Sequence, residues 1–352
     1  MKRATSIDVA RLAGVSQSTV SRVFTPEASV SAETRSRVLA AAAELGYQPN
    51  AIARSLSKQN TNIIGIAMGR ITSPFHPYVL EKFIQHLQEV GRQALLFSTP
   101  PDREVEDALE LIMQYQVDGL IITSATISTE MADACANLGI PVVLFNRYVL
   151  GARVNAICTD NVEAGRLVAN LLLDAGHKRL AYVQGTANAS TNLDRQKGFF
   201  DRLRERGATE VVSEPGDYTY EAGFAAACRL LNRPDRPDAI FVASDIVALG
   251  VLDAARYRFD LRIPEDLSVI GFDDIPAAAW PSYNLTTIRT PVNRMIEATI
   301  DLLLARLDEP AANPQTLLFP GALVTRGSAR LPAPYQVHPP QPTFAAFWEE
   351  AL

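Results

Sequence analysis

Between Gln17 and Arg22 the chain gathers Gln17, Ser18, Thr19, Ser21 and Arg22, side chains able to bond base edges or phosphates. A Gln amide can bond an adenine edge twice and an Arg guanidinium can bond guanine or phosphate, so short polar residues at a helix start suit the DNA major groove. Two other groupings invite a catalytic or metal reading: the carboxylates Asp273-Asp274, and the histidines His76, His86, His177 and His338. The histidines lack both the two-on-a-helix and the cysteine-paired spacing of metal ligands, and His177 falls in a helix-to-strand turn where hydrogen bonding is the expected role. Gly-x-Ser-x-Gly, the phosphate loop and the dinucleotide glycine fingerprint are missing from the sequence. The expectation is therefore a protein with no catalytic residues, no metal and no cofactor.

The elements that must hold these five polar side chains are legible. Thr5 and Ser6 can cap a helix running through Ala13, with Asp8 in the first turn, where a carboxylate suits the positive end of the helix dipole. Gly14 permits a tight turn, Val15 plugs the space between helices, and Ser16 is a good N-cap for a second helix to Phe24. On that helix Val20, Val23 and Phe24 share one apolar face, leaving the polar residues on the others. Ser31 with Glu33 opens a third helix through Leu45, with Val38, Leu39, Ala42 and Leu45 as its core stripe and Gly46 as its stop. A helical bundle serving only protein contacts is the competing reading.

Composition sets bounds. At 352 residues, 47% hydrophobic and 20% charged, the chain is long enough for two or three globular units. Its net charge of −6 is divided: residues 1 to 60 carry +4 and the remainder −10, so a polyanion is attracted to one end only. No apolar run reaches the roughly 20 residues of a membrane span, and the basic N-terminus lacks the apolar core of a secretory signal, so a cytoplasmic location is expected. Cys135, Cys158 and Cys228 are far apart and odd in number, which reads as buried neutral thiols.

Ile7-Asp8-Val9-Ala10-Arg11-Leu12-Ala13-Gly14-Val15-Ser16 with Ser18-Thr19-Val20-Ser21-Arg22-Val23-Phe24 resembles the headpiece of the lac repressor and galactose repressor (LacI/GalR) family. The likeness continues through Glu44 to Leu56, similar to the family's third helix and hinge. The resemblance implies DNA contacts at Thr5, Ser16, Gln17, Ser18, Thr19, Ser21, Arg22, Asn50, Ala53, Arg54 and Leu56. It also implies a hinge helix that orders only when two copies meet on an operator, Leu56 prying open a base step and Ala53 permitting close hinge-to-hinge approach. From the residues themselves, Asn50 can cap a helix over Ala51 to Ser57, and an apolar wedge is a known way to kink DNA. Leu56 as a linker residue packing on the next domain is the other reading.

Beyond Thr61 short apolar runs alternate with helical periodicity. Asn62–Met68, Gln93–Ser98, Val117–Ile122 and Pro141–Phe145 read as buried parallel strands, with helices over Tyr78–Val90, Glu104–Gln116 and Thr129–Leu138. A second set follows, with strands at Leu180–Gln184, Val211–Ser213, Ala239–Ala243 and Leu267–Phe272. Its helices fall near Asn161–Ala175, Leu193–Arg206, Tyr220–Leu231 and Asp245–Tyr257. Two doubly wound lobes suggest a clamshell whose ligand sits at the carboxyl ends of the strands.

The resemblance extends through about Ala329 and implies an all-α helix-turn-helix headpiece (1–49), a hinge and linker (50–60) and an α/β periplasmic-binding-protein-like type I effector domain of two lobes (61–330). It implies chain crossovers near 160, 290 and 320, the last returning Val292–Leu307 to the first lobe. Its ligand loops fall on Ser73–Pro77, Phe145–Arg147, Asn192–Arg195, Ser244-Asp245 and Gly271–Asp274, which nominates Phe75, His76, Arg147, Arg195, Ser244, Asp245 and Asp273 as effector contacts. Arginine forks suit hydroxyl pairs, carboxylates or phosphates, Asp accepts from hydroxyls, and an aromatic ring covers an apolar sugar face. Read without the family, Asp245 caps its helix, Arg147 forms an interlobe ion pair and Phe75 is core.

The Pro-rich tail 331–352 lacks the leucine heptad of a tetramer, so a homodimer is expected. The expected partners are a near-palindromic double-stranded DNA operator and a small carbohydrate-type effector (sugar, sugar acid or sugar phosphate), with no membrane. A purine effector or co-repressor mode is the alternative within the family. A solute-binding receptor is the alternative outside it, and an enzyme such as a glycoside hydrolase has the least support.

Overall fold

A computed structural model describes residues 4–25, 28–48, 61–69, 73–99, 112–123, 134, 139–149, 151, 153–208, 210–309 and 313–335. Two compact units divide at Asn62. The first holds helices α1 (Ser6–Ala13), α2 (Gln17–Val23) and α3 (Ala32–Glu44). Each begins on a hydroxyl cap: Thr5 in a reciprocal capping box with Asp8, Ser16 accepting from Thr19 N–H, and Ser31 accepting from Thr34 N–H. Gly14, at φ 64°, closes α1 in the left-handed conformation that lets the chain turn at once into α2. Val9, Ala10, Ala13, Val20, Val23, Val38, Ala41 and Ala42 form the core, with Val15 and Phe24 packed against it. The expected α3 stripe needs correction: Leu39 and Leu45 are exposed, and small residues at 41 and 42 let the short helices approach closely.

The second unit contains two sheets. The first runs β2-β1-β3-β4-β5-β11, all parallel, from β1 (Ile63–Gly69), β2 (Gln93–Thr99), β3 (Gly119–Ile122), β4 (Val142–Phe145), β5 (Asn155–Thr159) and β11 (Thr316–Phe319). The second runs β7-β6-β8-β9-β10-β12, from β6 (Leu180–Val183), β7 (Val211–Glu214), β8 (Ala239–Val242), β9 (Ser268–Asp273), β10 (Thr286–Arg289) and β12 (Ala322–Val324), with only β12 antiparallel. Helix α4 (Phe75–Glu89) packs on the first sheet; α5 (Asn161–Asp174), α6 (Ser190–Glu205), α7 (Tyr220–Leu231) and α8 (Asp245–Asp253) belong to the second lobe. The helix expected to run to Tyr257 ends at Asp253 and continues as a π-turn over Ala254–Arg258.

Three passages join the lobes. The chain leaves the first sheet after β5 and enters α5. It returns after β10 into α9 (Val292–Asp308), which packs on α4, β3, β4 and β5, so the second crossing, and not the last as expected, brings this segment back; the last runs between β11 and β12 into the second lobe. Strands β5, β10, β11 and β12 have no counterpart in the sequence reading; β5 and β10 open on the polar residues Asn155 and Thr286.

Helices α5 and α6 cross closely: a Cβ on Gly198 would lie 2.0 Å from the Val162 carbonyl oxygen, and one on Gly165 2.4 Å from that of Arg195. At the opposite ends of the strands, buried His177 directs Nδ1 toward Asp238 at 3.3 Å and Arg330 at 3.2 Å. Cys158 is buried, which pushes its thiol up to about 12, whereas Cys228 is half-buried and Cys135 lies outside the described residues. The expected helices over Glu104–Gln116 and Thr129–Leu138, and the tail beyond Tyr335, fall wholly or mostly outside them too. Among the described residues no helix is long and apolar enough to cross a membrane.

Candidate functional site

Two surfaces hold the nominated residues. On the headpiece, Ser16, Gln17, Ser18, Ser21 and Arg22 are exposed along the start and outer face of α2. Ser16 is held by its capping bond and by Ser18 and Thr19 hydroxyls at 2.8 Å; Gln17 donates to Ser6 Oγ at 3.0 Å. These contacts fix the first turn while Ser21 and Arg22 stay open to solvent. Ser16→Ala removes the only side-chain cap of α2 and is expected to lower headpiece stability by about 1 kcal/mol, read as the thermal midpoint.

Not all of the basic headpiece faces outward. Arg35 donates to the carbonyls of Val23 (3.1 Å) and Ala28 (3.4 Å), and Arg37 donates to those of Ala13 and Gly14, so both guanidiniums fasten α3 to the ends of α1 and α2. Thr5 is occupied in its capping box. Asn50, Ala53, Arg54 and Leu56 lie outside the described residues.

The second surface is the cleft at the carboxyl ends of the strands. Arg195 is 1% exposed and its guanidinium is held on every edge. Nε donates to Asn161 Oδ1 (2.8 Å), Nη1 to the Ala243 carbonyl and Nη2 to Asp273 Oδ1 (3.5 Å), while its plane lies 3.5 Å from the Phe272 ring centroid. Asp273 has φ 112° and Asp274 φ 60°, a strained pair ending β9. Asp274 is bound by Arg289 (2.6 Å) and Arg326 (2.7 Å), while Asp273 pairs with Arg195. Burial pushes the Asp273 carboxyl up to about 6 against the pull of Arg195. Arg147 is 7% exposed at the end of β4, and burial lowers its guanidinium to about 10, still protonated at neutral pH.

Asp245 sits differently from the expectation. It is fully buried, and its two oxygens accept from Thr287 Oγ1 (2.6 Å) and Ile275 N–H (2.9 Å), tying α8 to the ends of β9 and β10. Burial, then neighbouring Asp273, raise its carboxyl well above the usual range. Its Oδ1 stands 2.2 Å from where a Cβ of residue 271 would be, which requires Gly271. Phe75, 8% exposed, joins the apolar core with Phe83 and Phe145, and its ring meets His76 edge-on at 6.0 Å. Ser244 precedes α8 with its hydroxyl buried and unpartnered.

That hydroxyl has company. Thr123 Oγ1 after β3, Asn146 Oδ1 after β4 and Asn192 Nδ2 on α6 are also buried without a hydrogen-bond partner. Each such group costs about 1–3 kcal/mol if left unmet; His177 Nε2 and Thr290 Oγ1 are orphaned likewise.

Comparison with known proteins bears on the family and on the two domains. Residues 6–50 match the model for bacterial regulatory proteins of the lacI family, and residues 169–329 that for a periplasmic binding protein-like domain. The ribose operon repressor of Escherichia coli (strain K12) is 33% identical over 330 residues, covering 93% of this chain and 100% of that protein. The chain belongs to the lacI family. Among its lacI-family relatives, the HTH-type transcriptional repressor PurR of Pasteurella multocida (strain Pm70) is 31% identical over 93% of this chain and 99% of its own length. The structure of the lac repressor dimer bound to operator and the anti-inducer ONPF aligns over 93% of this chain and 99% of that one, with a TM-score of 0.85 and 28% identity.

Like other lacI-family chains, this one is a DNA-binding transcriptional regulator with a helix-turn-helix headpiece and a two-lobed effector domain. Within the cleft the structure adds a residue that sequence reasoning missed. The Tyr218 ring fills the space that a side chain on Gly185 would occupy, its hydroxyl bonds Thr191 Oγ1 at 3.0 Å, and it lies within electrostatic reach of Arg147, Arg195 and Asp273. Asp217 and Tyr218 both have positive φ, at 42° and 53°. Nothing in the run of residues 211–220 signals this, because the missing Cβ of Gly185 decides it.

Proposed function

We propose that this chain is a homodimeric repressor that holds a near-palindromic operator through α2 and the hinge and is controlled by a carbohydrate-type effector in the cleft. The reading places it in the cytoplasm at the nucleoid. It rests chiefly on the cleft: an arginine-aspartate pair, a second buried arginine and orphaned hydroxyl and amide groups converge where the strands end. Such a set suits a small ligand rich in hydroxyls. In a clamshell, a ligand that favours one lobe arrangement shifts the population of that arrangement and thereby operator affinity. The printed name of the E. coli ribose operon repressor favours a sugar; that of PurR keeps a purine as the second reading.

The DNA half is tested with the full chain on the segment upstream of its own transcription unit. Arg22 is exposed, its carbonyl caps the end of α2, and among the described residues its guanidinium makes no hydrogen bond or ion pair. Arg22→Ala should weaken operator binding by about 1–3 kcal/mol if the guanidinium reads a base, or lower the salt slope by about 1 if it meets a phosphate. Equal binding by the variant at all salt concentrations would refute the placement. The effector half is tested by thermal shift with D-ribose, D-gluconate, ribose 5-phosphate and hypoxanthine, each hit followed by operator binding.

A further inference from the structure

Each cleft arginine has a chain neighbour that reaches across the lobe boundary. Tyr148, next to Arg147 after β4 of the first sheet, donates its backbone N–H to Ser190 Oγ (3.2 Å) and its phenol to Asp194 Oδ1 (3.0 Å). Ser190 and Asp194 lie on α6 of the second lobe, Asp194 immediately before Arg195. Their i, i+4 spacing puts both acceptors on one helix face, so a single residue of the first lobe meets two points of the second. Burial, then the neighbouring Asp194, push the Tyr148 phenol up to about 12, which keeps it a proton donor across the physiological range. Burial raises the Asp194 carboxyl, while the bond from Tyr148 and the nearby Arg195 pull it back toward the charged form that accepts best.

The two bonds have a geometric consequence for the effector site. Arg147 is one residue from Tyr148 and Arg195 one residue from Asp194, so forming the Tyr148–Asp194 bond brings the two guanidinium-bearing segments face to face. Breaking it lets the lobes separate without disturbing the contacts that hold Arg195 within the second lobe, since Asn161, Ala243 and Asp273 are all in that lobe or at its first crossover. The bonds share no hydrogen-bonding partner with the Arg195 network, to which Asp194 is coupled only through charge, and are free to act as a closure element.

We infer that Tyr148, Ser190 and Asp194 form an interlobe latch that biases the empty cleft toward closure and positions Arg147 opposite Arg195. In this arrangement Tyr148 and Asp194 are positioning residues, acting through the arginines beside them. The inference rests on the cleft being the effector site, and the test separates the two. A charge-assisted hydrogen bond of this kind favours the closed arrangement roughly ten-fold.

The test uses the full chain as wild type, Y148F, D194A, D194N and S190A, with hydrogen-deuterium exchange of the segment around residue 148 read without any sugar present. S190A deletes the acceptor of that amide and sets the ceiling of exchange. Y148F and D194A should raise exchange about ten-fold toward that ceiling, while D194N, whose amide oxygen still accepts the phenol proton but without the charge, should fall between them and wild type. In a parallel calorimetric titration with D-ribose, Y148F should weaken binding about ten-fold. Absence of D-ribose binding to the wild type would count against that sugar as effector and leave the exchange result to decide the latch. Exchange in Y148F and D194A within two-fold of wild type, with D194N showing a folded protein, would overturn it.

Discussion

Arg195→Ala is expected to cost the second lobe about 3–5 kcal/mol and to abolish effector binding, because the guanidinium serves three acceptors and an aromatic face at once. Its loss leaves the Asn161 carboxamide oxygen, the Ala243 carbonyl and the Asp273 carboxylate without their donor, in a place where Arg195 is 1% exposed and water enters poorly. The Phe272 ring, with the guanidinium 3.5 Å above it, faces a void instead. A buried charge pair broken from one side is far more destabilising than the intact pair is stabilising, since the remaining charge keeps its desolvation cost. Arg195→Lys retains a charge but offers a compact ammonium in place of a planar fork, so it should recover part of the stability and little of the binding. Urea melts of the full chain supply the measurement. A loss under about 1 kcal/mol for Arg195→Ala would mean that the network is not the keystone of the cleft.

That network shows what a sequence can and cannot announce. Val20, Val23 and the caps Thr5, Ser16 and Ser31 act over one or two turns, and their roles could be read from spacing alone. The long apolar runs such as Ile63–Gly69 and Gln93–Thr99 were equally plain. Helix α4 starts three residues ahead of the expected Tyr78 because Pro77, in the first turn, gives up no needed hydrogen bond there. Roles set by distant partners were hidden. Asp245 is fixed by Thr287 and Ile275, 42 and 30 residues away, and Tyr218 by a glycine 33 positions earlier, so neither has a local signature. Arg35 and Arg37 counted toward a polyanion-binding surface until the structure showed them fastened to carbonyls. Arg195 and Asp273 were nominated through family resemblance, and the structure brings them together; Phe75 came the same way, and the structure packs it into the core.

Asp273 gives an expected result whose sign depends on the effector. Its carboxyl titrates near pH 6 in the folded protein against an ordinary 3.8, the raised value coming first from burial and being restrained by Arg195. The folded state therefore holds a proton that the unfolded chain has released. The stabilisation this provides, on the order of 3 kcal/mol, is fully present below about pH 4 and is lost as pH rises through 6. Melts of the ligand-free protein should show that decline, and Asp273→Asn should flatten it. Binding of a neutral sugar runs the other way, because its hydroxyls donate to a carboxylate that is ionised only above pH 6; affinity should climb roughly ten-fold between pH 5 and pH 7. A sugar acid or sugar phosphate brings its own negative charge beside Asp273, prefers the carboxyl protonated, and should bind more tightly at pH 5 than at pH 7. Calorimetry at the two pH values, on wild type and Asp273→Asn, thus distinguishes the effector classes by the direction of one change. A pH-independent affinity in the wild type would place Asp273 outside the contact altogether.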